Sequence, residues 1–263
     1  MIFRTLATLF MCCAVLFANS AEAVVANDSI QTASESTKQA VPGERFNIKQ
    51  LIVPTVLVSV GAFGIKNGWF HKKINEPVRD GLADLRRDNY VKIDDYIQYL
   101  PVAAHLGMGL VGVESRHPFR ERFVAAATSS LVMAAMVNTV KNCVDEERPN
   151  SHGFSSFPSG HTATAFMGAE LIRLEYGNDW CTVGAYTVAC GVGFLRLYNN
   201  KHWLNDVLAG AGIGILSARI GYWMLPVWRH LFRWDRTKAP AMSAVPTYDA
   251  YTRSFGVAFA AQF

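Results

Sequence analysis

The chain is 263 residues long, 51% hydrophobic and 17% charged, with a formal net charge of +4. Soluble proteins carry roughly 25% charged residues; here the charges cluster in 66–94, 114–122, 141–148 and 229–238, and the long apolar runs between them point to membrane helices or a very apolar bundle. So small a net charge fits anionic lipid or a plain basic surface and calls for no nucleic-acid partner, while the length holds one domain beside a targeting segment and a tail.

Residues 1–23 read as a secretory signal peptide: Arg4 marks a basic start, Leu6 to Ala18 is apolar, and Ala21-Glu22-Ala23 is a small-x-small cleavage site. An uncleaved first helix is the alternative. Cleavage removes Cys12 and Cys13 and leaves Cys143, Cys181 and Cys190, an odd set in apolar surroundings that argues against a disulfide framework. Residues 24–49, rich in Ser, Thr, Ala and Gln, form a flexible leader. Leu51–Ile65 is short and holds Pro54, so it is expected at the membrane interface rather than across the bilayer. Within 66–94, Val78–Leu85 is amphipathic.

Five stronger apolar runs follow: Tyr96–Val113, Phe123–Val140, Ser159–Leu171, Trp180–Leu195 and Val207–Trp228. The last contains Gly210, Ala211, Gly212 and Gly214, small residues that allow helices to approach closely in lipid. The expected fold is all-α, a membrane-embedded bundle of about five or six helices over 50–232, with a soluble bundle as the alternative. Residues 233–263 form a tail in which Tyr251, Phe255, Val257, Phe259 and Phe263 follow strand periodicity, without an identifiable partner.

Polar residues gather at the ends of these apolar runs, where charge is costly unless it has a task. Lys141 and Arg148 stand seven apart, a spacing that puts two cations on one helical face before Pro149; they suit a phosphate dianion. Phe157-Pro158-Ser159-Gly160-His161 precedes an apolar helix, with Ser159 as N-cap. The free N–H groups of such a helix start bind anions, and His161 stands where it can protonate a departing oxygen. In Arg196-Leu197-Tyr198-Asn199-Asn200-Lys201-His202, followed by Asp206, the last two are four apart and are expected on one helical face. An aspartate that accepts Nδ1–H leaves Nε2 free as a nucleophile. Each segment alone has a bland reading as snorkelling cations, a capped turn or a surface His–Asp pair. In order within one chain, they are far more specific. Asn150, His152, Ser155 and Ser156 line the loop into the site; His105 reads as a packed helix histidine, and Asp145, Glu146 and Glu147 as a solvated helix end.

Together these segments resemble the motifs of the type-2 phosphatidic acid phosphatase superfamily, Lys-x6-Arg-Pro, Pro-Ser-Gly-His and Ser-Arg-x5-His-x3-Asp, over about residues 95–228. The apolar runs resemble its membrane lipid phosphate phosphatases more than its soluble acid phosphatases. The resemblance implies that Lys141, Arg148, Arg196, Ser159 and Gly160 grip a phosphate. It implies that His202 attacks phosphorus, Asp206 orients it, and His161 protonates the leaving group and then activates water. It implies no metal or other cofactor, and the sequence offers no second carboxylate cluster for Mg²⁺ or Ca²⁺. Leu195 replaces the family's Ser, which removes a hydroxyl donor, and the loop Asn150–Phe157 is short.

The expected substrate is a membrane lipid: a phospholipid such as phosphatidic acid, a polyprenyl diphosphate, or a lipid A phosphate. The expected place is the inner membrane of a bacterial cell envelope. If Leu51–Ile65 does not cross and Tyr96–Val113 is the first span, the motifs face the periplasm, with Arg116, Arg120, Arg122, Arg229 and Arg233 inside; if Leu51–Ile65 crosses, they face the cytoplasm. Three readings compete: a soluble acid phosphatase of the same superfamily, a vanadate-binding haloperoxidase, and a non-catalytic lipid-phosphate-binding membrane protein.

Overall fold

The structure, a computed structural model, describes residues 46–86, 89–151, 153–234, 241–249 and 254–262. The expected signal peptide, the leader up to residue 45, and His152 lie outside these residues. The described helices are α1 (Ile52–Gly64), α2 (Glu76–Arg86), α3 (Asp94–Ile97), α4 (Leu100–Gly107), α5 (Phe119–Cys143), α6 (Gly160–Tyr176), α7 (Asp179–Tyr198), α8 (Leu204–Trp223) and α9 (Leu225–Phe232). A short turn, Gly68–Phe70, and a π-helical segment, His71–Asn75, run straight into α2. Ala241–Asp249 and Ser254–Gln262 pair as an antiparallel hairpin.

The axis of the bundle is α8, and its glycines explain why. A Cβ on Gly210 would lie 2.5 Å from the Ser159 carbonyl before α6, one on Gly212 2.7 Å from the Pro54 carbonyl of α1, and one on Gly221 2.6 Å from the Ala125 carbonyl of α5. Each glycine thus admits the backbone of a different neighbour, the close approach that small residues permit in lipid. Of the most apolar stretch of α8–α9, 67% is buried within the protein, against 22% for α5. Outward residues of α5 such as Phe123 and Leu131 are 53% and 73% exposed, a face suited to acyl chains. Among the described residues, three segments, α5, α7 and α8–α9, are long and apolar enough to cross a membrane, or four if the pair formed by Ile48–Gly64 and Gly68–Arg86, bent by 90°, counts as one.

Two expectations change. Leu51–Ile65 is not set apart at an interface: α1 runs the length of α8, from Gln50 Oε1, which accepts from Trp223 Nε1 at 3.2 Å, to Gly64 against Asn205. The bend after it lays α2 across one end of the bundle, where Leu82 packs with Leu197, Leu204 and Val207 and Arg86 donates to the Tyr198 carbonyl at 2.8 Å. Tyr96–Val113 is not one continuous helix, although it runs from the end where Asp95 meets His161 to the end where Tyr176 donates to the His105 carbonyl. Pro101 opens a new helix at α4, where a missing N–H is tolerated, and Gly112 turns at φ +90°. The periplasmic assignment took Leu51–Ile65 as not crossing, and with α1 running the length of α8 it loses that support.

Buried ion pairs and hydrogen bonds tie the opposite end together: Glu170 with Arg173 and Arg219 at 2.6 and 2.8 Å, and Glu175 with His117 Nδ1 and the donating Tyr222 hydroxyl at 2.7 Å each. The motif residues lie where α5 and α7 end and where α6 and α8 begin, so both junctions meet at the end that α2 covers.

Candidate active site

Lys141 projects from the last turn of α5. The helix stops at Cys143 because Val144 is extended, at φ −125° and ψ 111°. Glu146 then pairs with the returning chain: its N–H donates to Phe154 O at 3.1 Å, Ser156 N–H donates to its carbonyl at 3.0 Å, and Arg148 N–H donates to Gly153 O at 3.0 Å. Arg148 therefore comes from a closed loop, not from the helical face that the seven-residue spacing suggested, and the helix ends well before Pro149. Lys141 still feels the charges of both Arg148 and Arg196. The ammonium of Lys141 donates to Ser155 O at 2.7 Å. Nε of Arg148 is buried and has no hydrogen-bond partner among the described residues, so its guanidinium is available to an anion.

Ser159 caps α6, as its position before an apolar helix suggested. Its hydroxyl is buried and engaged inside the cap, 2.9 Å from Thr162 Oγ1; what the helix start offers an anion is the backbone N–H groups that follow it. Ser159 N–H donates to Asp206 O at 3.1 Å, which clamps the start of α6 to α8. At Gly160 a Cβ would meet only Val137, at 3.8 Å, so packing does not dictate glycine there. His161, on the first turn of α6, has its Nε2 2.9 Å from Asp95 Oδ1. Burial and the charge of Arg196 lower its pKa, and Asp95 opposes both.

Arg196 lies on the last turn of α7, which closes through Asn200 in the left-handed region at φ 57°. Its Nη1 donates to Asp94 Oδ2 at 2.6 Å and lies 3.4 Å from Asp95 Oδ1. His202 follows in the loop, and α8 begins only at Leu204. The His202–Asp206 pair is thus not a shared helical face. Asp206 sits in the first turn of α8 and reaches back over the helix start, as acidic residues there do. Its Oδ2 accepts from Trp203 N–H at 2.9 Å, from Ser156 Oγ–H at 2.5 Å and from His202 Nδ1 at 3.3 Å. Nε2 of His202 has no hydrogen-bond partner among the described residues. Burial lowers the His202 pKa to about 4, Asp206 opposes, and the cations Arg196 and Lys141 add to the fall. At neutral pH the ring is uncharged, with one nitrogen held and the other available.

The eight residues read from the sequence as site residues therefore gather at one end of the bundle. Beside them opens a cleft of about 490 Å³ whose lining includes Arg148, Arg196, Lys92, Lys201, Asp94 and Asp95. Sequence reasoning missed four residues here. Asp94 and Asp95 looked like the edge of a mixed-charge stretch, yet Asp94 is 1% exposed; the available signal was two adjacent acids abutting an apolar run. Glu146, read as solvated, is 5% exposed. Ser156, read only as lining the loop into the site, donates to Asp206.

Residues 123–230 match the PAP2 superfamily. The lipid A 1-phosphatase of Porphyromonas gingivalis is 40% identical over 154 residues, which cover 56% of this chain and 35% of that protein. The bacitracin transport permease protein BcrC of Bacillus licheniformis is 33% identical over 93 residues, which cover 35% of this chain and 42% of its own length. In both, the matched region is less than half of the relative. The crystal structure of Aquifex aeolicus LpxE is similar at a TM-score of 0.44 and 21% identity, covering 56% of this chain and 94% of that one.

Proposed function

Residues 123–230 form a PAP2 superfamily domain, and on that premise we propose that the protein is a membrane phosphatase that hydrolyses a lipid phosphate monoester or diphosphate through a phosphohistidine at His202. The observation that carries the reading is the setting of His202: an uncharged imidazole, held at Nδ1 by Asp206, beside Lys141 and Arg196. Those cations, with Arg148 and the helix start at Ser159-Gly160, favour the charge that spreads over the equatorial oxygens in the transition state. Nε2 forms the bond to phosphorus as the bond to the lipid oxygen breaks, and His161 gives that oxygen its proton. Water then attacks the phosphohistidine and yields a proton to His161. Inorganic phosphate leaves with His202 neutral again.

The reaction as written uses no metal. The carboxylates at the site are already engaged, Asp206 with His202, Ser156 and Trp203, Asp94 with Arg196, and Asp95 with His161, and the cations supply the positive charge. We place the enzyme in a membrane of the bacterial cell envelope, supported by its apolar helices and by the 40% identity to a lipid A 1-phosphatase. That relative makes a lipid A 1-phosphate the first substrate to offer, followed by undecaprenyl diphosphate, phosphatidylglycerol phosphate and phosphatidic acid. Purified protein is expected to release phosphate from at least one of them in excess EDTA, to be inhibited by vanadate, and to lose turnover but not its fold as His202→Ala. No release from any lipid would leave a binding protein; loss of turnover on chelation, with recovery on adding a divalent ion, would refute the mechanism.

A further inference from the structure

The two oxygens of Asp206 are treated very differently. Oδ2 accepts from three donors, Ser156, Trp203 and His202, while Oδ1 is buried with no donor among the described residues. A buried carboxylate oxygen without a donor is costly. Its neighbour is Glu146, held by the short bridge that also delivers Ser156 to Asp206. Both oxygens of Glu146 accept from a single amide, Asn205 Nδ2, at 3.1 and 3.2 Å. That amide is fixed because Asn205 Oδ1 accepts from Asn75 Nδ2 at 2.9 Å. Two adjacent buried acids with so few donors cannot both ionise cheaply.

We propose that Glu146 stands behind the site as an uncharged carboxylic acid that donates its proton to Asp206 Oδ1, making it a positioning residue for the carboxylate that holds His202. The groups facing Glu146 agree. Burial and then the charge of Asp206 raise its pKa to about 8, against smaller opposing effects of Asn205 and Lys66. His71 Nε2, 3.5 Å from Oε1 on the segment before α2, is a further titratable neighbour. The shared proton satisfies Oδ1, leaves one negative charge rather than two behind the nucleophile, and so spares an incoming phosphate a repulsion. Loss of that proton as the pH rises through about 8 puts the second charge in place.

This rests on the proposed phosphatase reading only for its link to turnover, and the test separates the two. The first arm is infrared difference spectroscopy of wild type against Glu146→Gln, in an ester-free maltoside detergent. A protonated-carboxyl carbonyl band present in wild type at pH 6.5, absent from Glu146→Gln and titrating away near pH 8 is expected, whether or not the protein turns over any lipid. Absence of such a band overturns the proposal. The second arm is turnover at pH 6.5. Glu146→Gln keeps an N–H donor for Oδ1 and should stay within a few-fold of wild type, whereas Glu146→Leu, which keeps none, should lose about 10-fold or more. Equal losses in both variants, with thermal melts showing both folded, also overturn it.

Discussion

Gly210→Ala adds one methyl group in a place where the packing of the bundle and the geometry of the site are the same contact. The new Cβ would lie 2.5 Å from the Ser159 carbonyl oxygen, where ordinary contact begins at 3.4 Å, so roughly 0.9 Å of displacement is demanded. The oxygen cannot turn aside, because it accepts from Ala163 N–H at 3.0 Å inside the first turn of α6, and the N–H of the same residue donates to Asp206 at 3.1 Å. The strain is relieved by moving the start of α6, with Gly160 and His161, away from α8, with Asp206. A misplacement near 1 Å in a catalytic constellation costs about 100-fold in rate, equivalent to about 2.7 kcal/mol of activation free energy; overpacking itself costs about 1–3 kcal/mol of stability. Gly191→Ala on α7 is the control, since a Cβ there meets nothing within 4 Å. The assay is phosphate release from the preferred lipid in detergent micelles, with a thermal melt on the same samples. A Gly210→Ala turnover indistinguishable from that of Gly191→Ala would refute the argument that this contact sets the distance between the two halves of the site.

Other expectations are simpler. A nucleophilic His202 must be neutral, and its lowered pKa keeps it so well into acid: kcat/KM should fall only as the pH drops through about 4. An acid limb near the ordinary histidine value would argue against His202 as drawn. The same shift makes the folded protein lose stability on acidification from about 6.5 down to about 4, because the unfolded chain takes up the proton first. Asp94→Asn removes the buried partner of a buried Arg196; leaving that charge uncompensated should cost about 3–5 kcal/mol, read as a lowered Tm, and an unchanged Tm would show that the pair is not needed. Cysteines at Glu114 and Lys201, in a background without the native cysteines, should label from opposite faces of the membrane; labelling from one face would contradict the bundle.

Chemistry was more legible in the sequence than the backbone that delivers it. Lys141, Arg148, His161, Arg196, His202 and Asp206 were recognisable because charge at the end of an apolar run is costly and is kept for a reason. How they meet was not, because two spacings of helical length span places where the helix is broken. Lys141 and Arg148 are joined through the bridge at Glu146, and His202 lies before α8 rather than on it. Spacing alone cannot distinguish one face of a helix from a loop folded back to the same point, since both satisfy the same end-to-end distance. The apolar run Tyr96–Val113 misled in a related way: it is not one helix, since Pro101 opens α4 anew and α4 packs on α6, with Gly168 admitting Pro101 and Val102. Buried acids are the hardest to read, since Glu146 and the neighbouring Glu147 are alike in sequence and only the fold buries one of them.

Asp94 and Asp95 show how adjacent identical residues can be given different tasks by burial alone. The side chain of Asp94 is 2% exposed and grips Arg196 at 2.6 Å; that of Asp95 is 54% exposed and rests between His161 Nε2 at 2.9 Å and Arg196 Nη1 at 3.4 Å. An oxygen in contact with both a proposed general acid and a proposed phosphate-binding guanidinium occupies ground that a phosphate oxygen would need. A phosphate dianion repels it, and solvent gives it somewhere to go, whereas Asp94 has no such freedom and stays as the anchor. Asp95→Asn should therefore divide the kinetic constants. The KM falls because a neutral amide competes less well for Arg196, while kcat falls because His161 loses the carboxylate that favours its protonated form. A variant in which both constants stay put would mean that Asp95 is a bystander, and a KM that rises would mean that it helps to hold the lipid rather than yielding to it.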